Sequence, residues 1–495
     1  MTAYFEITGR DGPARIGKLM LDRVIGTPCI LNARSLGKEG PIISMGPIWD
    51  YKSKEEILDF VLGTKGSKKL VILPYSPSGG IEEYIQSEIE DEIPTGIVVH
   101  MASLREDIVG KFDLCVLPTT GELKKNPRVF VDSIVKVREC IPPDVALHAP
   151  AIASPENLAI LIYAGVDLVD DVATEIHGYQ DLYMTNEGAI PISLLSEELP
   201  CLCEVCCEIT LDELVKMPKK ERSLLLSRHN KLKLTEELKK VKELIRRGLI
   251  REYVEKQCRS SPFLTASLRL LDVEPDYLEK RAPVARKNRL YANSMESLSR
   301  VEVKRFAERI RTRYRSKGGV LLILPCSARK PYSSSPSHYK FISALGGYRK
   351  RVHELIITSP LGVVPRELEL VYPAAHYDIP VTGYWDREER SWVAGCLRSY
   401  LEKNSYDMII AHLDGASRMI CEEVTGELKM DIEYTSTGAV AGNSSLENLR
   451  STVKKAFEKN EGRSELREDM LIATADYQFG AGAGDKLFAG DIRIK

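Results

Sequence analysis

The sequence of 495 residues has no apolar run approaching the ~18 residues of a membrane span, so none is expected. Its start, Met1-Thr2-Ala3-Tyr4-Phe5-Glu6-Ile7, lacks the basic-then-apolar layout of a secretory signal, and the cytoplasm is the expected compartment. It also lacks an excess of charge of either sign: 69 Lys and Arg against 71 Asp and Glu leave a net charge of −2. A nucleic-acid partner would therefore need local basic surfaces, because phosphate contacts need cations where the backbone runs. No repeat or low-complexity tract stands out. The 11 cysteines are odd in number and four of them fall within 201–207, which reads as one metal site plus free thiols rather than a disulfide framework.

What is present implies several α/β domains, because a chain this long exceeds one core. Val71-Ile72-Leu73-Pro74, Gly96-Ile97-Val98-Val99-His100, Leu114-Cys115-Val116-Leu117-Pro118 and the stretch around Val166–Val169 read as buried strands separated by helix-length segments. That alternation predicts βα units and a parallel sheet, and about 300 residues of it suits a (β/α)8 barrel. Two helices with cationic faces follow. One is expected to be N-capped by Thr235 and closed by Gly248, with Lys239, Lys240, Lys242, Arg246 and Arg247 outward. The other is expected to start at a capping box, Ser299-Arg300-Val301-Glu302, with Lys304, Arg305, Arg309, Arg311 and Arg313 outward. Each face is either solvated surface or an RNA contact. After Gly318-Gly319, strands at Val320–Leu324, Leu355–Thr358 and Met408–His412 predict a second α/β domain, with a third unit from Glu433. The expected domains are 1–315, 316–432 and 433–495.

Cys201-Leu202-Cys203-Glu204-Val205-Cys206 places three thiols in one loop, and C-x-C-x-x-C can supply three corners of a zinc tetrahedron. The fourth ligand is His229 or Cys207. Four protein ligands leave no open position for water, so such a zinc is structural. This spacing resembles the zinc site of tRNA-guanine transglycosylases. Gly165-Val166-Asp167-Leu168-Val169-Asp170 resembles the family segment ending in its nucleophilic aspartate, and Gly9–Gly17 resembles its N-terminal strand and turn. Over residues 1–310 the resemblance implies a degenerate barrel with an inserted zinc module. The family's Asp-Ser-Gly-x-Phe-Gln loop has no counterpart between residues 40 and 130; Pro77-Ser78-Gly79-Gly80-Ile81 carries no aspartate. Asp170 is thus either a remnant nucleophile or a strand-end cap, and the barrel is expected to serve as a tRNA platform.

Strand 320–324 runs into Pro325-Cys326-Ser327-Ala328-Arg329-Lys330-Pro331-Tyr332-Ser333-Ser334-Ser335-Pro336-Ser337-His338, at the end of a strand where α/β sheets bind ligands. Lys330 or Arg329 near Cys326 would favour its thiolate, and His338 could move protons. Chemistry alone also allows a Pro/Ser-rich surface loop. The string resembles the archaeosine synthase signature through Pro325, Cys326, Lys330, Pro331, Tyr332, Ser335 and His338. Thr358–Glu369, Tyr372–Asp378 and Val381–Trp385 extend the resemblance over 320–415. It implies a transferase acting on tRNA that carries 7-cyano-7-deazaguanine in its D-loop, with lysine as amine donor and an amidine product cleaved by a radical-SAM partner. On that reading either Cys326 adds to the nitrile or it is only packed and the amine attacks directly, while Lys330 or Arg329 stabilises charge on nitrogen and His338 deprotonates the amine, beside Tyr332 and Ser335. Ser327, Arg329, Pro331, His412 and Asp414 are candidate substrate contacts. Glu367, Glu369, Asp378 and Asp386 could hold an ammonium or orient His338.

Asp476–Gly484 resembles the domain preceding the PUA module of archaeal transglycosylases, and no PUA-like segment follows before Lys495. That module is expected either to be cut from this chain or to be a separate protein. A homodimer is expected by analogy with transglycosylases. The competing readings are an active transglycosylase that inserts the base, and a non-catalytic tRNA scaffold.

Overall fold

A computed structural model of the chain describes residues 4–33, 36, 40–75, 80–89, 93–99, 101, 104–118, 123, 125–316, 318–380 and 384–458. The motif readings at Asp476–Gly484 and at Val381-Thr382-Gly383 lie outside these residues, as do His100 and most of Pro77–Ile81. The chain divides into two compact units, 1–283 and 284–495.

The first unit opens with a three-stranded antiparallel sheet of β1 (Phe5–Asp11), β2 (Ala14–Met20) and β3 (Val24–Thr27). A parallel sheet follows: β4 (Cys29–Leu31), β5 (Ile42–Ser44), β6 (Leu70–Ile72), β7 (Thr95–Val98), β8 (Leu114–Val116), β9 (Ala146–Ala149) and β10 (Leu168–Asp170). Its order, β4-β10-β9-β8-β7-β6-β5, is that of a barrel in which the last strand closes on the first. Eight strands were expected; the described residues contain seven, and β4 and β5 do not pair. A cavity of about 500 Å³ lies there, lined by residues that include Ile30, Leu31 and Ile42. The antiparallel sheet is pinned to the barrel by a buried fork: Arg15 Nε and Nη2 each donate to Asp167 at 2.6 Å. Leu147 N–H also donates to Asp167 at 2.8 Å, so the carboxylate is satisfied on both oxygens.

After β10 come a helix, Val172–Tyr179, and a hairpin of β11 (Leu182–Thr185) and β12 (Gly188–Pro191). The long helix Lys219–Arg246 then packs on both. The expected break at Thr235 does not occur. No Gly or Pro interrupts 219–246, and Leu226, Leu234, Leu238, Val241 and Ile245 bury one continuous face. Thr235 Oγ1 instead donates to the Lys231 carbonyl, one turn back, at 2.8 Å. Gly248, at φ +65°, follows the helix end as expected. Gly178 is required by packing, because a Cβ there would lie 2.2 Å from Ser227 Oγ and 2.7 Å from its backbone nitrogen.

The second unit is built on a five-stranded sheet: β14 (Val320–Pro325), β15 (Val352–Thr358), β16 (Gly362–Pro365), β18 (Met408–Ala411) and β19 (Glu433–Tyr434), with the pair β13 (Leu290–Tyr291) and β17 (Tyr377–Asp378) beside it. The order is β16-β15-β14-β18-β19, parallel except for β16. Alternation along β14 feeds two cores. Val320, Leu322 and Leu324 pack with Phe341, Leu449 and Phe457, whereas Leu321 and Ile323 pack with Phe306, Val393 and Ile420.

This packing moves two expected boundaries. Helix Val301–Thr312 belongs to the second unit, because Val303, Phe306 and Ile310 sit in its core. Its N-cap is Arg300 and its side chain makes no cap bond; the Ser299 capping box does not form, and Ser294 caps the preceding 3-10 turn. The stretch from Glu433 is not a separate domain as far as it is described. β19 joins the sheet, and helix Asn443–Glu458 covers one of its faces.

Candidate functional site

In the second unit the chain leaves β14 for β15 on one side and later returns to β18 on the other, so β14 is where the strand order reverses. Ligands of α/β sheets bind beyond strand ends at such a reversal. The segment occupying that place is 325–338. Cys326 is half-buried against the core that contains Tyr332 and Tyr377. Burial pushes its thiol up, opposed by a hydrogen bond from Thr358 and by the charge of Lys330. Burial also pushes the Lys330 ammonium down, opposed by Cys326 and Asp378. Lys330 Nζ lies 4.2 Å from the centroid of the Tyr377 ring and donates to the Ala328 carbonyl at 3.4 Å. Beneath it runs a hydroxyl chain: Thr358 Oγ1 is 2.6 Å from Tyr377 Oη, which is 2.7 Å from Tyr332 Oη. The site therefore offers a thiol and an amine, both held toward their neutral forms, over a buried polar floor.

His338 does not fit the base role expected of it. It is buried, Nε2 lies 2.9 Å from the Pro325 carbonyl, and Nδ1 accepts from Arg366 Nη2 at 2.7 Å. An arginine cannot accept, so Nδ1 is unprotonated and Nε2 carries the hydrogen. Burial and Arg366 push the imidazole down to about 3. Arg366 in turn donates to Glu354 at 2.7 Å and to Glu369 at 2.9 Å, and Glu369 accepts the Ser333 N–H at 2.9 Å.

The remaining expected residues separate. Ser335 is the buried N-cap of helix Pro336–Leu345, accepting from His338 N at 3.3 Å. Tyr332 is buried in the floor. Ser327 Oγ donates to the Arg329 carbonyl at 2.9 Å, and Arg329 is exposed. Pro331 is half-buried and accepts from Ser334 Oγ at 2.8 Å. His412 is buried with Nδ1 2.8 Å from Thr435 Oγ1 and Nε2 2.7 Å from the Val440 carbonyl, so it ties strands to a loop instead of facing a substrate. Asp414 is exposed ahead of helix Gly415–Glu427. Glu367 bonds to Tyr314, Asp386 caps helix Arg387–Lys403, and Asp378 pairs with Arg289 at 3.3 Å. Sequence reasoning gave no role to Thr358, Tyr377 or Arg366, which entered only within the resembling stretches Thr358–Glu369 and Tyr372–Asp378.

In the first unit, Cys201, Cys203, Cys206 and His229 bring one donor atom each within 4.8 Å of one another. Cys203 Sγ is 3.6 Å from Cys206 Sγ, and His229 Nδ1 is 3.4 and 3.3 Å from these sulfurs. A tetrahedral ion with metal–sulfur bonds of about 2.3 Å sets sulfur edges of about 3.8 Å, so the donor set fits a metal. His229 Nε2 lies 3.0 Å from the Met184 carbonyl, which fixes the tautomer, and Tyr183 stacks on the ring at 3.8 Å. Burial pushes the His229 imidazole down to about 4, favouring the neutral form that ligates. Cys207 is exposed and outside the cluster.

Asp170 sits at the end of β10, where Oδ1 accepts from Ala151 N at 2.8 Å and Val172 N at 3.2 Å. Oδ1 thus ties the end of β10 to Ala151 and to the first residue of the following helix, whose N-cap is Asp171. The cationic faces are largely engaged. Lys240 pairs with Glu237 at 2.8 Å, Lys242 donates to the Gly26 carbonyl at 3.2 Å and Arg246 lies 3.7 Å from Glu243. Lys304 lies 4.1 Å from the Trp392 ring and Arg311 pairs with Glu308 at 2.5 Å. Among the described residues no helix is long and apolar enough to cross a membrane.

Two family models match the chain: Queuine tRNA-ribosyltransferase over residues 101–262, and a domain of unknown function over 303–453. Archaeosine synthase subunit alpha of Methanosarcina acetivorans is 47% identical over 99% of this chain and 82% of its own length. Archaeosine synthase of Haloferax volcanii is 38% identical over 99% of this chain and 80% of its own. tRNA-guanine(15) transglycosylase of Methanothermobacter thermautotrophicus is 29% identical over 74% of this chain and 50% of its own. On this identity and coverage, the chain belongs to the archaeosine synthase family of tRNA-modifying transferases.

Proposed function

We propose that this chain joins the side-chain amine of lysine to the nitrile carbon of 7-cyano-7-deazaguanine in the D-loop of tRNA, leaving an amidine for a radical-SAM partner to cleave. The observation that carries the reading is the loop at the sheet's reversal point, which presents Cys326 and Lys330 together with opposed displacements of their ionisation. Burial disfavours both ionised forms while each side chain's charge favours the other's, so Lys330 is the acceptor to which the Cys326 proton passes. Lys330 takes the Cys326 proton, the thiolate adds to the nitrile carbon, and Lys330 returns the proton to the nitrile nitrogen. The product is a thioimidate, with no net proton change. Lys330 then takes a proton from the incoming ammonium, and the free amine attacks. The carbon–sulfur bond breaks, and Lys330 returns its proton to the departing thiolate. The product is the protonated amidine, and the resting thiol is restored. Splitting one sluggish addition in two is what a thiol supplies. Tyr377 supports the Lys330 charge through its ring face, and Thr358 donates to the thiolate.

The ion at Cys201, Cys203, Cys206 and His229 is proposed to be zinc, holding the hairpin and the Cys loop to the long helix and taking no part in the reaction.

The test is to incubate the protein with nitrile-bearing tRNA and isotopically labelled lysine, without the radical-SAM partner, and to weigh the digested nucleosides. A mass gain of one lysine on the base is expected, abolished by C326A. No gain with metal-replete protein rejects the reading; near-normal turnover by C326A rejects the covalent step alone.

A further inference from the structure

We propose that Arg366 is a positioning residue for the Cys326–Lys330 loop, holding both of its ends from one guanidinium. The inference rests on the reading that Cys326 and Lys330 meet the substrate. Arg366 reaches the start of the loop through His338, whose Nδ1 accepts from Nη2 at 2.7 Å and whose Nε2–H donates to the Pro325 carbonyl at 2.9 Å. Pro325 is the residue before Cys326. Arg366 reaches the other end through Glu369, which accepts Nη1 at 2.9 Å and the Ser333 N–H at 2.9 Å. Its Nε donates to Glu354 at 2.7 Å, and Glu354 is held in turn by Arg349 at 3.0 Å.

Three features mark this as more than ordinary packing. The carboxylates are buried, Glu354 and Glu369 being 3% and 7% exposed, and the Arg366 side chain is 11% exposed beside the neutral, buried His338. Burying two carboxylates and a guanidinium costs free energy that a greasy replacement would not, so the arrangement is poor as a stabilising device. The cluster is nonetheless balanced, Arg349 and Arg366 against Glu354 and Glu369. The guanidinium fork also imposes a state on His338. With Nδ1 facing a permanent donor, only the neutral Nε2–H tautomer fits, so the Pro325 carbonyl always has its donor. The groups packed on the imidazole are the Tyr332 ring at 5.6 Å, the Phe341 ring at 5.2 Å and Arg366. None offers a negative charge in direct contact. His338 is thus a fixed strut.

Catalysis by a loop thiol and a loop amine depends on where they sit, and misplacement by an ångström can cost on the order of 100-fold. R366M is therefore expected to lower kcat for lysine addition by about that factor while KM for tRNA stays within about twofold. Alkylation of Cys326 by iodoacetamide, followed by peptide mass mapping, is expected to speed up several-fold as the loop loosens. In the same variant the His338 imidazole, followed by NMR, is expected to titrate closer to ordinary histidine, because one of the two causes of its depression is gone. Should R366M fail to fold, H338Q and H338L decide. Gln can donate to the Pro325 carbonyl and accept from Arg366, so H338Q is expected to keep most of the kcat that H338L loses. H338Q as inactive as H338L would give the imidazole its own chemistry and overturn the proposal. R366M with wild-type kcat and alkylation would do the same. If wild-type protein adds no lysine, the proposed function fails, while alkylation and the His338 titration still decide the clamp.

Discussion

Lys330 Nζ stands 4.2 Å from the centroid of the Tyr377 ring, and the hydroxyl of that ring joins Thr358 at 2.6 Å to Tyr332 at 2.7 Å. One residue thus carries both a cation's support and the middle link of a buried hydroxyl chain, and the two roles separate by mutation. Y377F keeps the ring and removes the link, leaving Thr358 and Tyr332 short of a partner. It should cost about 1–3 kcal/mol in urea unfolding and spare most of the activity. Y377L should lose both. A Y377F variant with wild-type stability would show that the chain of hydroxyls contributes nothing.

The displacement of Cys326 sets a pH prediction. Burial raises its thiol above the ordinary value, and Lys330 partly restores the thiolate. Alkylation of Cys326 should therefore climb with pH to a midpoint above that of a free cysteine. K330M removes the opposing charge, so its midpoint should move higher still, and lysine addition should fall by about 100-fold or more with the proton shuttle gone. A K330M midpoint at or below wild type would separate the two side chains.

Much of this was legible beforehand. The apolar runs located β6, β7, β8, β10, β14, β15 and β18, because buried parallel strands are continuous hydrophobic stretches. Cys201, Cys203, Cys206 and His229 converge as their spacing suggested. What escaped depends on tertiary packing. Thr235 resembles a cap in isolation, but Leu226 and Leu234 upstream carry the buried stripe through it. Val301–Thr312 was expected in the domain 1–315, because Gly318-Gly319 has the look of a boundary, but its Phe306 shares a core with Ile323. His338 looked like a base by type, but its burial and the approach of Arg366, 28 residues away, hold it neutral with both nitrogens engaged.

Acid should weaken the second unit. The folded His338 has its pKa depressed from 6.5 to about 3, and that of His412 is also lowered, both mainly by burial. The unfolded chain then binds more protons, so the associated stability is full above about 6.5 and is lost as pH falls toward 3. For His338 the loss amounts to a few kcal/mol at the bottom of that window. Urea midpoints taken from pH 7 to pH 4 should decline, and H338Q should decline less steeply. Equal slopes would mean that another group carries the transition.

The metal cluster predicts about one ion per chain by elemental analysis, lost in C203S and retained in C207S, since Cys207 lies outside the four-donor set. Strong chelation should lower the melting temperature of wild type and leave C203S unchanged. His229 Nε2 against the Met184 carbonyl and Tyr183 stacked on the ring tie that loss to the hairpin Leu182–Pro191, where exchange of backbone amides should rise first.

Asp170 decides between a barrel that exchanges bases and one that does not. Base exchange needs a carboxylate oxygen for the ribose, which Oδ2 still offers, and also a second acid/base, for which residues 40–130 hold no counterpart of the family's Asp-Ser-Gly-x-Phe-Gln aspartate. Oδ1 of Asp170 is taken by the Ala151 and Val172 amides at 2.8 and 3.2 Å, and Ala151 sits at φ +55°. Oδ2 lies 3.4 Å from His148 Nε2, and neither ring nitrogen of that buried histidine has a hydrogen-bond partner among the described residues. D170N preserves the Oδ1 acceptor, so it should fold and keep lysine addition within about twofold, whereas D170A leaves two amides unpaired and should cost about 1–3 kcal/mol. Labelled guanine should not enter tRNA with either the wild type or D170N. Incorporation by the wild type that D170N abolishes would restore Asp170 as a nucleophile and make the barrel a second catalytic centre.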